Sequence, residues 1–217
     1  MVVRKRSNEK KNRRSRDPEG TRQLLLQAAY REIHKSGFES TGIDTILAAT
    51  GVTKGALYHH FASKKAMGYA IVEEIVAEFM REKWLHPLHN GGDPIDTLIG
   101  MVRATPLRLE EVRIGCPWNN LAQEMSQRDE PFRKHLAKVS EEWQEGIATA
   151  LLRGQEEGTV RRDLDARETA SFLIAMYEGY VTLAKNAQDV NVWKVGIRNI
   201  VGWLGSLRAA KCLRAAK

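Results

Sequence analysis

The side chains best equipped for chemistry cluster in TGIDTILAATGVTKGALYHHFASKK, Thr41 to Lys65. Lys54, Gly55 and Ala56 offer one ammonium and almost no bulk, so a helix beginning there can bring its end close to base edges in a major groove. Tyr58, His59, His60 and Lys64 follow within a few turns and supply donors suited to phosphate oxygens. Thr53 stands where it can cap that helix. This is a recognition set for double-stranded DNA rather than a catalytic one. The plainer alternative is a surface turn between two core helices.

A second set lies in IGCPWNNLAQEM, Ile114 to Met125. Cys116 directly precedes Pro117, the expected first residue of a helix, so the positive end of the helix dipole should lower the thiol pKa. A thiol-based redox or electrophile sensor is then one reading, and a small buried hydrophobe is the other. Trp118, Asn119, Asn120 and Glu124 are its polar and aromatic company. Trp84, Met101, Trp143, Met176, Tyr177 and Tyr180 lie on neighbouring helices and could wall a small-molecule effector site. Glu178 interrupts the apolar run MYEGY and reads as the partner of a basic ligand or, by preference, of an arginine.

Other chemistries find little support. His86 and His89 form an HxxH pair with only Asp93 nearby, which is weak for a metal, and they read as solvated loop histidines. No histidine is spaced to activate Cys116 as a nucleophile, and no Gly-rich phosphate loop or catalytic serine motif occurs. No catalytic residue, metal or cofactor is therefore expected. An architectural DNA-binding protein whose body takes no ligand is a further alternative.

The elements that must position these residues are helical throughout. Asp17-Pro18 opens the first helix, Leu25, Ala28, Ala29 and Ile33 form its buried stripe, and Gly37 ends it. Thr41 with Asp44 resembles a capping box, predicting a second helix from Thr41 or Gly42, with Ile43, Ile46 and Leu47 on one face. Gly51 suits a left-handed turn before the third helix, Lys54 to His60. Ser63 caps a helix from Lys64 to about Leu85 with the stripe Val72, Ile75, Val76, Phe79 and Met80, broken by Pro87 and Asn90-Gly91-Gly92. Asp93-Pro94 to Ala104, Pro117 to Gln127, Glu130-Pro131 to Glu157, Asp165 to Asn186 and Asn191 to about Leu213 complete the chain. The last two helices carry more apolar surface than one core needs: Leu173, Ile174, Tyr177, Val181 and Ala184 on one, Gly196, Ile200, Trp203, Leu204 and Leu207 on the other. They predict a homodimer interface.

At 217 residues, 42% hydrophobic and 28% charged, the chain has the composition of a soluble globular protein. No apolar run spans a membrane and no secretory signal opens it, so a cytoplasmic protein without membrane partners is expected. Cys116 and Cys212, far apart, suggest no disulfide framework. The formal charge of +7 is concentrated at the start, where Arg4, Lys5, Arg6, Lys10, Lys11, Arg13, Arg14 and Arg16 face only Glu9. Such an arm, 1–16, reads as a phosphate or minor-groove contact, or as a solubilising tail.

Gly37-Phe38, Thr41, Ile46 to Val52, Lys54-Gly55, Leu57-Tyr58, His60-Phe61 and Ser63-Lys64 together resemble the N-terminal signature of TetR-family transcriptional regulators. GC-x-x-x-N-L-x-x-E-M in the body resembles an element of one subgroup of that family. The resemblance implies an all-α dimer of about nine helices: a helix-turn-helix DNA-binding domain, 17–63, after the arm, and a ligand-binding and dimerisation body, 64–217. It further implies a repressor that binds a palindromic operator and is released by an unknown small-molecule effector. Carried over by position, Lys54, Gly55 and Ala56 face bases, Tyr58 and His59 face bases or phosphates, and Thr41, His60 and Lys64 face the backbone. Gly42 and Asp44 depart from the pattern, which has a hydroxyl and a basic residue there.

Overall fold

The computed structural model describes residues 17–105 and 108–209. Among them no strand forms, only an isolated bridge between Val160 and Arg208, so the all-helical reading holds. The described residues divide into two compact units, one of residues 17–76 and 120–135, the other drawn from 77–119 and 136–209.

In the first unit, α1 (Pro18–Ser36) starts where Asp17 accepts the Gly20 N–H at 2.9 Å, with Pro18 pre-set in the first turn. Leu25, Leu26, Ala28, Ala29 and Ile33 are its buried stripe. α2 (Ile43–Thr50) begins later than the capping box predicts. Its N-cap is Gly42, with no side-chain cap, because Thr41 is buried and donates its hydroxyl to the Gly37 carbonyl at 2.7 Å. Gly51 adopts φ +67° and ends the helix. Thr53 caps α3 (Lys54–His60) by accepting the Ala56 N–H, and Ser63 caps α4 (Lys64–Ala70) in the same way through Ala66. A π-helical stretch π1 (Ile71–Val76) follows.

Residues 120–135 complete this unit. Phe132 sits edge-on to Phe38 at 4.8 Å and to Tyr69 at 4.9 Å. A side chain at Gly68 would run into both phenyl rings, within 2.4 Å of Phe132 and 2.6 Å of Phe38, so only glycine lets α4 approach them. Asp129 is 8% exposed and fully served: it accepts from the Phe132 N–H and the Tyr69 hydroxyl, each at 3.0 Å, and pairs with Lys65 at 2.8 Å.

The second unit opens with α5 (Ala77–Met80), π2 (Arg81–Leu85) and α6 (His86–His89). A π-helix closes its hydrogen bonds five residues apart, which widens each turn. Here the buried positions recur four apart, at Met80, Trp84 and Leu88, and Phe79, expected inside, is 37% exposed. His86 and His89, read as loop residues, lie instead in this last helical turn and are exposed.

α7 (Pro94–Arg103), capped by Asp93, is followed by α8 (Leu109–Ile114), a short helix absent from the sequence reading. α9 (Pro117–Met125) and α10 (Glu130–Glu157) each run from one unit into the other along the chain. α11 (Ala166–Ala187) packs against α12 (Val190–Ser206), which also packs against α7. α12 ends seven residues short of the expected Leu213, because the chain beyond it pairs with the turn after α10: Leu207 accepts the Arg161 N–H and Thr159 accepts the Ala209 N–H, both at 2.9 Å. Trp84, Trp143, Tyr177, Ile95 and Leu98 lie at the centre of this unit's core.

Candidate DNA-reading face and ligand site

α3 is a short helix held by its own cap and by Leu57, which is fully buried. That fixes the opposite face outward: Thr53, Lys54, Gly55, Tyr58 and His59 are exposed, and Ala56 and His60 half-buried. Nothing lies within 4 Å of where a Gly55 side chain would begin, so the helix start is open. The His59 and His60 rings meet edge-on at 5.3 Å. Two of the expected contact residues are occupied elsewhere. Thr41 is 2% exposed and its hydroxyl belongs to the Gly37 carbonyl, which removes it from the surface where a phosphate could reach it. Lys64 donates to the Glu39 carbonyl at 3.2 Å and lies over the Phe38 ring at 4.6 Å.

The turn that leads into α2 is held by a residue the sequence had grouped with Cys116. Glu124 accepts the Phe38 N–H through Oε2 and the Glu39 N–H through Oε1, both at 2.8 Å. Gly37, at φ +90°, allows this, since an added Cβ would meet the carboxylate oxygens at 3.1 and 3.2 Å. Glu124 is the acidic position of the GC-x-x-x-N-L-x-x-E-M element. The element was legible in the sequence, but the partner was not.

In the second unit several of the expected aromatic side chains pack on one another in the core. Trp84 stands 5.0 Å from Trp143 and edge-on to Tyr177 at 4.8 Å, Trp118 meets Trp143 at 6.1 Å, and Trp193, not foreseen, meets Tyr177 at 5.1 Å. The Trp118 indole donates to the Leu136 carbonyl and Asn119 donates to the Thr182 hydroxyl, each at 3.0 Å. Lys83 was also missed. Its ammonium donates to the Tyr177 hydroxyl at 2.6 Å and lies 4.9 Å from that ring, and the hydroxyl is 3.2 Å from Thr105. Burial lowers the Lys83 pKa and raises that of Tyr177. Met101 and Met176 are half-buried. Tyr180 belongs instead to the α11–α12 seam, where it accepts from Asn199 at 2.7 Å and covers Gly196. Asn120 falls in the first unit.

Two expectations are overturned at the centre of this site. Burial first, and the Glu178 carboxylate second, push the Cys116 thiol up, outweighing the Asn119 N–H at the helix start that favours the thiolate. The residue is half-buried, and these influences hold its thiol up where the dipole argument expects it lowered. Glu178 has no arginine. It is 7% exposed and both its oxygens are buried without a hydrogen-bond partner, as is the Trp143 indole nitrogen. Burial pushes its pKa up to about 7 against weaker opposing pulls from Cys116, Lys83 and Asn119. No group of side chains suited to a metal ion occurs among the described residues.

An open helix-turn-helix face in one unit and an aromatic, polar-centred site in another define a DNA-binding transcriptional regulator, and comparison with known proteins agrees. Residues 25–71 match the family described as bacterial regulatory proteins, tetR family, and residues 95–200 match the tetracyclin repressor-like C-terminal domain. The chain is 32% identical over 176 residues to the uncharacterized HTH-type transcriptional regulator in the lacX 3' region of Lactococcus lactis subsp. lactis, covering 79% of this chain and 87% of that one. It is 29% identical to the HTH-type transcriptional repressor DhaR of Mycobacterium sp. (strain GP1), covering 76% and 82%. A TetR transcriptional regulator from Chloroflexus aurantiacus J-10-FL has the same fold, with a TM-score of 0.80 at 29% identity over 90% of this chain and all of that one. The protein belongs to the TetR family.

Proposed function

We propose that this regulator is a homodimeric repressor of a palindromic operator, released when a small molecule occupies the site around Trp84, Trp143, Tyr177 and Glu178. The observation that carries the DNA-binding half is the α3 face. Lys54 and Tyr58, the latter 45% exposed, engage no other side chain among the described residues, while the caps and Leu57 hold the helix that presents them. Residues 17–63 would read DNA and 64–217 would bind ligand and dimerise. The basic arm, 1–16, lies outside the described residues, and its eight cations would add phosphate contacts. No helix among the described residues is long and apolar enough to cross a membrane, which suits a cytoplasmic protein.

Dimerisation is assigned to the last two helices. Phe172 and Leu183, 54% and 56% exposed, stand three turns apart on one face of α11, and Val195 on α12 is 39% exposed. Large apolar side chains left in water suit an interface core. DhaR, named a repressor, supports the direction of control. α9 supplies a route for the signal: Asn119 binds Thr182 in the second unit, and five residues later Glu124 holds the turn before α2 in the first. A hundredfold release of operator requires about 2.7 kcal/mol of coupling, within the usual range. The raised Cys116 thiol weighs against the alternatives of a redox sensor or a nucleophilic enzyme. Operator footprinting with sedimentation tests the reading: wild type protects two half-sites about one helical turn apart, and Leu183→Glu yields monomers that lose the paired footprint. Equal affinity of wild type for a lone half-site would overturn it.

A further inference from the structure

We infer that the effector of this protein is an organic cation bearing N–H donors, a protonated amine or an amidine, whose charged end docks on Glu178 and whose apolar body lies on the Trp84, Trp143 and Tyr177 rings. The inference rests on the ligand-release reading above and names the ligand class for that site.

Glu178 is the reason. A buried carboxylate is ordinarily ion-paired or saturated with hydrogen bonds, because removing it from water is costly otherwise. Here both oxygens are buried and neither has a partner at hydrogen-bond geometry, although the Cys116 thiol and the Asn119 amide lie close enough to pull its pKa down, and no ion pair involves the residue among the described ones. Two unserved acceptor atoms call for at least two donors. A hydroxyl supplies one and no charge, and a quaternary ammonium supplies charge and no donor. A primary ammonium or an amidinium supplies both.

The neighbouring charges leave that role open. Lys83 could have neutralised Glu178, yet its ammonium bonds the Tyr177 hydroxyl and lies over the Tyr177, Trp84 and Phe79 rings at 4.9, 5.7 and 5.8 Å. Burial lowers its pKa, which weakens its repulsion of an incoming cation. Glu111, which also acts on Lys83, is paired with Arg108. Cys116 and Asn119 face Glu178 from the start of α9, and burial keeps the thiol neutral. The Trp84, Trp143 and Tyr177 rings beside it are buried and packed on one another, and aromatic faces attract cations and cover an apolar body. An amine held at Glu178 would also sit beside Asn119, at the end of α9 opposite Glu124.

A matched set of probes on the full-length protein tests this by calorimetry and by operator release: 2-phenylethylamine, benzamidine, 2-phenylethanol, 3-phenylpropionate and benzyltrimethylammonium. The amine and the amidine should bind at least tenfold more tightly than the alcohol, the carboxylate and the quaternary ion. Their affinity should rise from pH 6 to pH 8, as the Glu178 carboxyl, with a pKa of about 7, ionises. Glu178→Gln should abolish both the preference and the pH dependence, with thermal melting confirming a folded variant. Tighter binding of 3-phenylpropionate, no amine binding at millimolar concentration, or undiminished amine binding by folded Glu178→Gln overturns the ligand class. Release of operator by 3-phenylpropionate or 2-phenylethanol with the amines inert does the same and leaves the ligand-release reading standing. Amines that bind through Glu178 without changing operator affinity uphold the class and overturn that reading.

Discussion

Asp129 in the first unit and Glu178 in the second are 8% and 7% exposed, and they titrate in opposite directions. Asp129 is held below the usual carboxylate range by Lys65, the Phe132 N–H and the Tyr69 hydroxyl. Glu178, on which burial outweighs the weaker pulls of Cys116, Lys83 and Asn119, is pushed up to about 7. The difference separates a unit whose polar groups are closed upon one another from one whose central polar group is left open. A scaffold that presents a recognition helix gains from closure, since each hydrogen bond fixes a turn. On the ligand-release proposal, the open group gains its partner from outside.

The largest effect expected from breaking this contrast is in stability against pH. A carboxyl whose pKa rises from an ordinary 4.5 to about 7 on folding destabilises the folded state as pH rises through that interval, by about 3 kcal/mol once fully ionised. Glu178→Gln should therefore be more stable than wild type above pH 7 and converge with it near pH 4.5 in urea titrations. Asp129→Asn should behave in reverse. A depressed pKa stabilises the folded state above the ordinary aspartate range, and that contribution is lost as pH falls through the folded pKa. A Glu178→Gln difference independent of pH would remove the contrast.

A smaller effect is expected at Glu124. Its replacement by Ala leaves the Phe38 and Glu39 N–H groups unserved at the turn before α2, for a loss of about 2 kcal/mol in unfolding free energy. Operator affinity should fall with it, because that turn sets the entry to the helix-turn-helix. Unchanged stability and operator binding would show that the turn holds without its clamp.

Lys54→Ala and Tyr58→Phe sharpen the comparison from the DNA side. Each should weaken specific binding by about 1–3 kcal/mol if it reads a base, with melting unchanged, since both side chains are exposed. Equal losses on operator and random DNA would place them on phosphates instead. The smallest effect is expected at Cys116→Ser, a change of under about 1 kcal/mol in stability with wild-type response to thiol reagents, because the raised thiol is already a poor nucleophile.

What the sequence determined by itself was local. Asp17, Thr53 and Ser63 cap helices as read, and Asp93 and Asp165, read as helix starts, also cap, since a cap and its target N–H lie two or three residues apart. The outward face of α3 follows from the burial of Leu57 and Phe61, apolar residues four apart, and the aromatic cluster from residue types that seek a core. The tertiary structure decided every assignment that depended on a distant partner. Thr41 was read as a surface hydroxyl, but the path of the chain after Gly37 turned it inward; π-helical turns moved Phe79 off its stripe. Glu124 found its N–H groups 86 and 85 residues away, and Lys83 found Tyr177 94 residues away. The Cys116 dipole argument was sound for the helix end and failed because burial beside Glu178 outweighs one N–H donor. Composition places a glutamate in the chain, but only packing decides whether water, an arginine or nothing is waiting for it.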